Sequence, residues 1–272
     1  MKTLMFFNNK GGVGKTSSVT AIAHMLAKLH GKRVLIVDLD PQMNTTMMFS
    51  EVDFIDLFKK IRYEADAYGT GHSVEDLLMD RNMDIHDCIL HTAYEGLDLI
   101  PAYLTLSEAE ERLKADVKTP QQFRLKQHLK DVRNEYDYCI IDASPSVSIL
   151  NINGLAAADK VYIPVRCDGG SLLGVSISMN LYETVSEYNP CLEIGGIFFT
   201  QWNGRKNVSR TVYEILEQEY GSYLIPVQIP AGKVVEESSL VQVPLLEYDS
   251  ASKKSKVTES YMELVDFILK QD

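Results

Sequence analysis

Three things are scarce in this 272-residue chain. Cysteine is the first: Cys88, Cys139, Cys167 and Cys191 stand far apart, so the paired C-x-x-C spacing of zinc ribbons and thioredoxin-like redox motifs is excluded. All four read as reduced and mostly structural. Long apolar runs are the second scarcity. Nowhere do about 18 apolar residues follow one another, the length a membrane-spanning helix needs, and the N-terminus lacks the apolar core of a secretory leader. Positive charge is the third, with 27 Lys and Arg against 38 Asp and Glu for a formal charge of -11. Such a surface is no general magnet for nucleic acid, and any DNA contact has to come from local basic clusters. A hydrophobic fraction of 45% suffices for a sizeable core. With no internal repeat or low-complexity linker, residues 1–272 are expected to form a single soluble, cytoplasmic domain.

One stretch stands out against this background. Residues 5–17, MFFNNKGGVGKTS, join an apolar run to a helical pattern through Lys10-Gly11-Gly12-Val13-Gly14-Lys15-Thr16. The spacing follows G-x-x-x-x-G-K-[ST], in which glycines let backbone N–H groups turn inward around phosphate oxygens and a helix N-terminus adds its dipole. Lys15 is expected against the β- and γ-phosphates, and Thr16 offers a hydroxyl to Mg²⁺. Gly11, Gly12, Val13, Gly14 and Ser17 complete the cradle. Asn9 stands where the common pattern has its first Gly, and Lys10 is a second lysine in the loop.

The rest of the chain alternates strand and helix patterns. Residues 4–7 predict a buried parallel strand, and residues 16–30 a helix with Val19, Ile22, Ala23, Leu26 and Leu29 on one face and Gly31 as its C-cap. Residues 34–37 predict a second strand that ends at Asp38-Leu39-Asp40-Pro41-Gln42. Two carboxylates thus leave a strand at the edge where α/β sheets bind ligands, a place where they serve a ligand or cap a turn. Residues 43–96 say least, mixing Met47, Met48, Phe54, Leu57 and Phe58 with charges and a Gly69-Thr70-Gly71 break; within them Ser73 reads as the N-cap of a short helix to Met79. Beyond lie a strand at 97–101, a capping box at Ser107-Glu108-Ala109-Glu110 and a long amphipathic helix over 121–134. Tyr138-Cys139-Ile140-Ile141-Asp142 is an apolar strand ending in an acid, the Walker B form, and Asp142 is expected to hold Mg²⁺ through a water molecule. Strands at 161–165, 196–200 and 224–227, separated by helices at 171–187 and 207–220, predict an α/β domain with a mainly parallel twisted sheet of about seven or eight strands flanked by helices on both faces.

Taken together, Lys10 to Thr16 and Asp38-x-Asp40-Pro41-Gln42 resemble the deviant Walker A and A′ pair of the ParA/MinD ATPases, specifically the Soj-like ParA partition proteins. The similarity covers nearly the whole chain, including Leu97-Asp98-Leu99-Ile100-Pro101-Ala102, Asn203-Gly204-Arg205-Lys206-Asn207 and Leu246-Glu247-Tyr248-Asp249. It implies a P-loop NTPase that binds ATP with Mg²⁺ and forms a homodimer in the ATP state. In that family the lysine matching Lys10 reaches across the dimer to the partner's phosphates, so a second cation stabilises transition-state charge in trans. Asp40 matches the acid that positions the attacking water, and Asp38 the acid near the metal. The adenine site is implied near residues 200–203, with Thr200 and Asn203, and near Pro230. A ParB-like or other stimulating protein and nonspecific DNA are the implied partners.

The sequence departs from the family in two places. Ser144 stands where the first of two prolines after the Walker B acid is usual. In Ala231-Gly232-Lys233-Val234-Val235-Glu236-Glu237, where DNA-binding relatives carry arginines, only Lys233 is basic. Arg205, Lys206 and Arg210 form a remaining basic cluster, and Lys253, Lys254 and Lys256 another; phosphate contacts are expected from the first of these and from Lys233. The alternative, a MinD-like positioning ATPase at a membrane surface, calls for a basic amphipathic C-terminal helix. Residues 261–269 carry Glu263 and Asp266 instead, so that helix is expected to dock on the domain's own sheet, with no stable membrane insertion. An iron–sulfur reductase of the same superfamily needs cysteines in a motif that none of the four matches.

Overall fold

Strand β1 (Lys2–Phe6) runs into the glycine-rich loop and then α1 (Lys15–His30), and this unit sits at the middle of the sheet. The computed structural model describes residues 1–51, 71–116 and 120–271; Phe54, Leu57, Phe58, Gly69 and Thr70 lie outside the described residues. After α1 come β2 (Val34–Leu39), α2 (Asn44–Phe49), α3 (Val74–Met79), β3 (Leu90–His91), β4 (Leu97–Ile100), α4 (Leu106–Ala115) and α5 (Arg124–Leu129). The second half runs β5 (Tyr138–Ala143), α6 (Ile149–Ala157), β6 (Lys160–Arg166), α7 (Ser171–Ser186), β7 (Glu193–Trp202), α8 (Asn207–Tyr220), β8 (Leu224–Pro230), α9 (Lys233–Leu240), α10 (Leu245–Tyr248) and α11 (Lys256–Lys270).

Among the described residues the strands form one sheet of eight in the order β3-β4-β2-β5-β1-β6-β7-β8. Every pairing is parallel except that of the two-residue β3 with β4. Alternate residues face opposite sides: Leu4 and Phe6 join α1 and α11 in one apolar layer, Met5 and Phe7 the layer on the other face. Both faces are covered, which is why the central strands are apolar throughout. Phe6 stacks on Tyr162 at 5.4 Å and meets Phe198 edge-on.

Local signals placed most elements. Gly31 closes α1, its N–H bonding to the Ala27 carbonyl and that of Lys32 to Leu26. Ser73 caps α3 as expected, and with Asp76 it closes a capping box there. The C-terminal helix buries Val257, Tyr261, Leu264, Val265 and Ile268 against α1 and β8, so it docks on its own domain. Two expectations are corrected. The capping box at Ser107 is absent, because α4 already begins at Leu106 and the Thr105 hydroxyl donates to the Glu75 carboxylate (2.9 and 2.8 Å) instead of capping. The long helix over 121–134 is a 3₁₀ turn (Gln121–Phe123) followed by the six-residue α5. Past α5 the N–H groups of Asp131, Arg133 and Glu135 bond to carbonyls three residues back, which tightens the chain out of α geometry.

Close packing sets a testable limit at Gly195 on β7. A Cβ there would lie 2.5–2.8 Å from three ring carbons of the fully buried Tyr162, whereas one at Gly169 meets nothing within 4 Å. Gly195→Ala is expected to destabilise the protein by roughly 1–3 kcal/mol through overpacking, and Gly169→Ala to leave urea unfolding unchanged; equal midpoints for both variants would show that the ring has room to move.

Candidate functional site

The site is assembled at the C-terminal ends of β1, β5 and β2. In register, Phe6 pairs with Asp142 and Asp142 with Asp38, so the glycine-rich loop leaves the sheet beside two carboxylates. Asn8 pins the loop's start: it is buried, its amide donates to the Pro164 carbonyl (2.8 Å), and its side-chain oxygen accepts the Lys10 N–H (2.9 Å). Gly12 (φ 71°) and Gly14 (φ 83°) are left-handed, the geometry that turns successive N–H groups inward and that side-chain-bearing residues resist. Lys15 is buried, and its ammonium donates to the carbonyls of Asn8 and Lys10, both at 3.1 Å. Burial lowers its pKa, against the attraction of Asp142 and Asp40. Thr200 braces the loop from β7 by donating to the Val13 carbonyl at 2.7 Å.

The three acids occupy different positions. Asp142 Oδ2 accepts the hydroxyls of Thr16 (2.8 Å) and Thr45 (2.7 Å), while its Oδ1 is buried without a hydrogen-bond partner. An orphaned carboxylate oxygen next to a hydroxyl is the donor set that a hydrated Mg²⁺ requires, so Thr16 and Asp142 fit the metal. Asp38, the other expected metal-side acid, has both oxygens engaged by protein donors. Oδ1 accepts the Asp40 N–H, and Oδ2 accepts the N–H and hydroxyl of Thr46 at 2.9 and 2.8 Å. Asp40 follows the end of β2, its carboxylate accepting the Gln42 N–H (2.9 Å), with its pKa raised by burial. Burial also raises the pKa of Asp38 and Asp142, and for Asp38 the Asp142 charge adds to it.

Lys10 points elsewhere. Its ammonium pairs with Asp168, on the connection from β6 to α7, and Asp168 also accepts the Gly170 N–H (3.1 Å) and approaches Arg166 (3.7 Å). One lysine of the loop is thus folded into the cradle and the other held at its rim. Asn203 and Pro230 close the neighbouring strands β7 and β8, with Trp202 paired to Pro230, and Gln201 (φ 49°) turns its amide to the Gly12 carbonyl at 3.4 Å. Arg205, Lys206 and Arg210 are exposed together around the start of α8. Lys233 lies on another element, as the first residue of α9. Sequence reasoning missed Thr45, Thr46, Asp168 and Asn151. The Asn151 amide bonds the carbonyls of Ser144 (2.9 Å) and Ser146 (2.7 Å) and so holds the turn in which Ser144 replaces a proline.

Raised carboxylate pKa values mean that the folded protein binds these protons more tightly than the unfolded chain, so stability falls as pH climbs from the ordinary carboxylate range through the raised values. Asp142→Asn removes one of the two facing charges. The variant without nucleotide is expected to resist urea better than the parent at about pH 8, with the gap closing towards about pH 5, while its Mg²⁺-dependent nucleotide affinity drops. A variant less stable than the parent at the higher pH would contradict this electrostatic picture.

Comparison with known proteins places this geometry. A sequence family described as an AAA domain matches residues 1–194. The sporulation initiation inhibitor protein Soj of Bacillus subtilis is 34% identical over 264 residues, 97% of this chain and 96% of its own. The chromosome-partitioning ATPase Soj of Treponema pallidum is 33% identical over 272 residues, 100% and 98% of the two chains. Among solved structures, cobyrinic acid a,c-diamide synthase from Mycobacterium smegmatis, with an ATP analogue and magnesium bound, is similar with a TM-score of 0.77 at 29% identity, covering 100% of this chain and 95% of that one. The ATP complex of a Cyanothece McdA variant shares the fold with a TM-score of 0.82 at 22% identity, covering 99% and 96%. With a cradle, paired acids and rim lysine on one sheet edge, and Soj relatives matched from end to end, the chain belongs to the Soj-like ParA partition ATPases of the ParA/MinD P-loop family.

Proposed function

We propose that this chain is an ATP-driven switch for DNA partition, which dimerises around two ATP molecules, engages DNA without sequence preference and is released when a ParB-like partner stimulates hydrolysis. The observation that carries the reading is the division of labour between two lysines of one loop. Lys15 is committed to its own cradle, while Lys10 is held at the rim by Asp168, where a second subunit's phosphates can compete for it.

Within the cradle, Gly11, Gly12, Val13, Gly14 and Ser17 present backbone N–H groups to the phosphates, and Lys15 neutralises the β- and γ-oxygens. Thr16 and, through water, Asp142 would hold Mg²⁺, which would supply charge neutralisation at the phosphates. Asp38 fixes the path of the segment that carries Asp40 by accepting the Asp40 N–H. Asp40 orients the attacking water and accepts its proton, a task that suits a carboxylate whose pKa is raised by burial. Lys10 of the opposing subunit then meets the charge that develops on the transferred phosphoryl group. Thr200, Asn203 and Pro230 border the adenine at the ends of β7 and β8.

Arg205, Lys206 and Arg210, with Lys233 as a lesser contributor, are the cations offered to DNA phosphates on a chain whose overall charge is -11. Such contacts position the dimer but read no sequence. The membrane-surface alternative has less support, since the apolar face of α11 is buried in the domain. No helix among the described residues is long and apolar enough to cross a membrane.

Lys15→Ala is expected to abolish ATP binding, and Asp40→Ala to keep ATP binding while trapping the dimer with turnover lost, as read by nucleotide titration, light scattering and phosphate release. Normal turnover in Asp40→Ala would remove that residue from the mechanism. DNA binding with ATP should weaken by about tenfold or more between roughly 50 and 200 mM salt and fall further in Arg205→Ala. Salt-insensitive binding, or none with ATP, would overturn the DNA part of the reading.

A further inference from the structure

At the far end of α1 from the glycine-rich loop lies a cavity of about 580 Å³, walled by the last turns of α1 and by the chain segments that lead into β2 and β4. It is on the sheet edge opposite Asp38 and Asp142, and the 16 residues of α1 separate it from the cradle by roughly 24 Å. His24, 1% exposed, is a buried polar group of its wall. Neither ring nitrogen has a hydrogen-bond partner. Nε2 stands 3.5 Å from Glu247 Oε1 without bonding geometry, and the ring meets Tyr94 edge-on at 4.9 Å. Burial pushes the His24 pKa down to about 4, against the pull of the Glu247 charge. Near neutral pH the ring is therefore uncharged, with one nitrogen to donate and one to accept, and a buried group of this kind calls for a partner that does both.

The charges around this cavity come in both signs. Lys28, Lys32, Arg33 and Glu95 line it, with Glu247 and Asp137 beside them. Glu247 takes Lys28 (3.2 Å) and Asp137 takes Arg33 (3.8 Å), whereas Lys32 and Glu95 form no ion pair among the described residues. One cation and one carboxylate are left over, so neither a simple anion nor a simple cation matches the lining. The C-terminal end of α1, which reaches the wall at Gly31, adds the dipole end that favours an ammonium. Ala27, Ala93 and the Tyr94 ring supply apolar wall, so that a few polar groups converge in an otherwise apolar hollow, the general form of a small-molecule site.

We propose that this cavity binds a free α-amino acid with a hydrogen-bonding side chain, its carboxylate on Lys32, its ammonium on Glu95 and its side chain on the His24 imidazole. An amide suits the last contact, since it donates and accepts at once. The site is separate from the nucleotide cradle and independent of the partition reading.

The test titrates the full chain with L-glutamine by calorimetry or ligand-observed NMR. L-glutamine is expected to bind saturably and not to be displaced by MgATP. Glutaramate, which lacks the ammonium, and γ-aminobutyramide, which lacks the carboxylate, should each bind about tenfold or more weaker, as the loss of a charged hydrogen-bond partner entails. L-leucine, with no polar side chain, should bind severalfold weaker than L-glutamine. His24→Phe should weaken L-glutamine to the level of L-leucine while leaving L-leucine unchanged, and Lys32→Ala and Glu95→Gln should weaken both. Circular dichroism checks that each variant is folded; Glu95 is exposed and Lys32 partly so, so those two variants report even if His24→Phe does not fold. No saturable L-glutamine binding to the parent would mean that water alone fills the cavity, and would overturn the proposal. So would displacement by MgATP, glutaramate or inorganic phosphate binding as tightly as L-glutamine, or an unchanged L-glutamine affinity in Lys32→Ala and Glu95→Gln.

Discussion

Two carboxylates buried side by side on adjacent parallel strands are the constraint from which the site follows. Asp38 and Asp142 are register partners at the ends of β2 and β5, both without solvent contact. Buried charges so close are tolerated only with donors and a cation at hand. The protein supplies Thr46 and the Asp40 N–H to one, Thr16 and Thr45 to the other, and Lys15 within Coulombic reach. One oxygen of Asp142 is left over, and it is there that the proposed reading seats the metal. A parallel sheet concentrates these groups because every strand of its centre ends on the same edge.

In the proposed reading, the loop's second lysine is what turns a nucleotide site into a switch. Lys15 satisfies two carbonyls of the loop itself, so the cradle is preformed. Lys10 lends the cradle its backbone, while its ammonium pairs with Asp168 beyond the rim. If a neighbouring subunit's phosphates took that ammonium from the carboxylate, as the proposed function requires, one charge-assisted contact would be exchanged for another.

Much of this was legible in the sequence where the signal is local. The glycine-rich loop, Gly31, the Ser73 cap and the apolar strands each declare themselves within a few residues, and Asp142 is readable as an acid closing an apolar strand. Thr45, Thr46, Asp168 and Asn151 were not legible, because their partners lie on other elements or depend on strand register that no window of sequence contains. The same reason explains the errors: the Thr105 hydroxyl was taken by the distant Glu75, and the 121–134 helix was cut short by turns that its apolar spacing does not record. Function was legible to the same depth. The cradle names the ligand class, whereas any surface for a macromolecular partner is written in exposed residues that obey no motif.

Trans complementation tests the central claim most directly. Lys10→Ala and Asp40→Ala subunits, each expected to be inactive alone, are mixed with MgATP and phosphate release is followed. If Lys10 works across the dimer, the mixed dimer contains one complete site, with Asp40 from the first subunit and Lys10 from the second, and turnover returns. If Lys10 serves its own site, neither site is complete; the mixture then stays as inactive as its components, which would contradict a sandwich of two subunits as the catalytic unit.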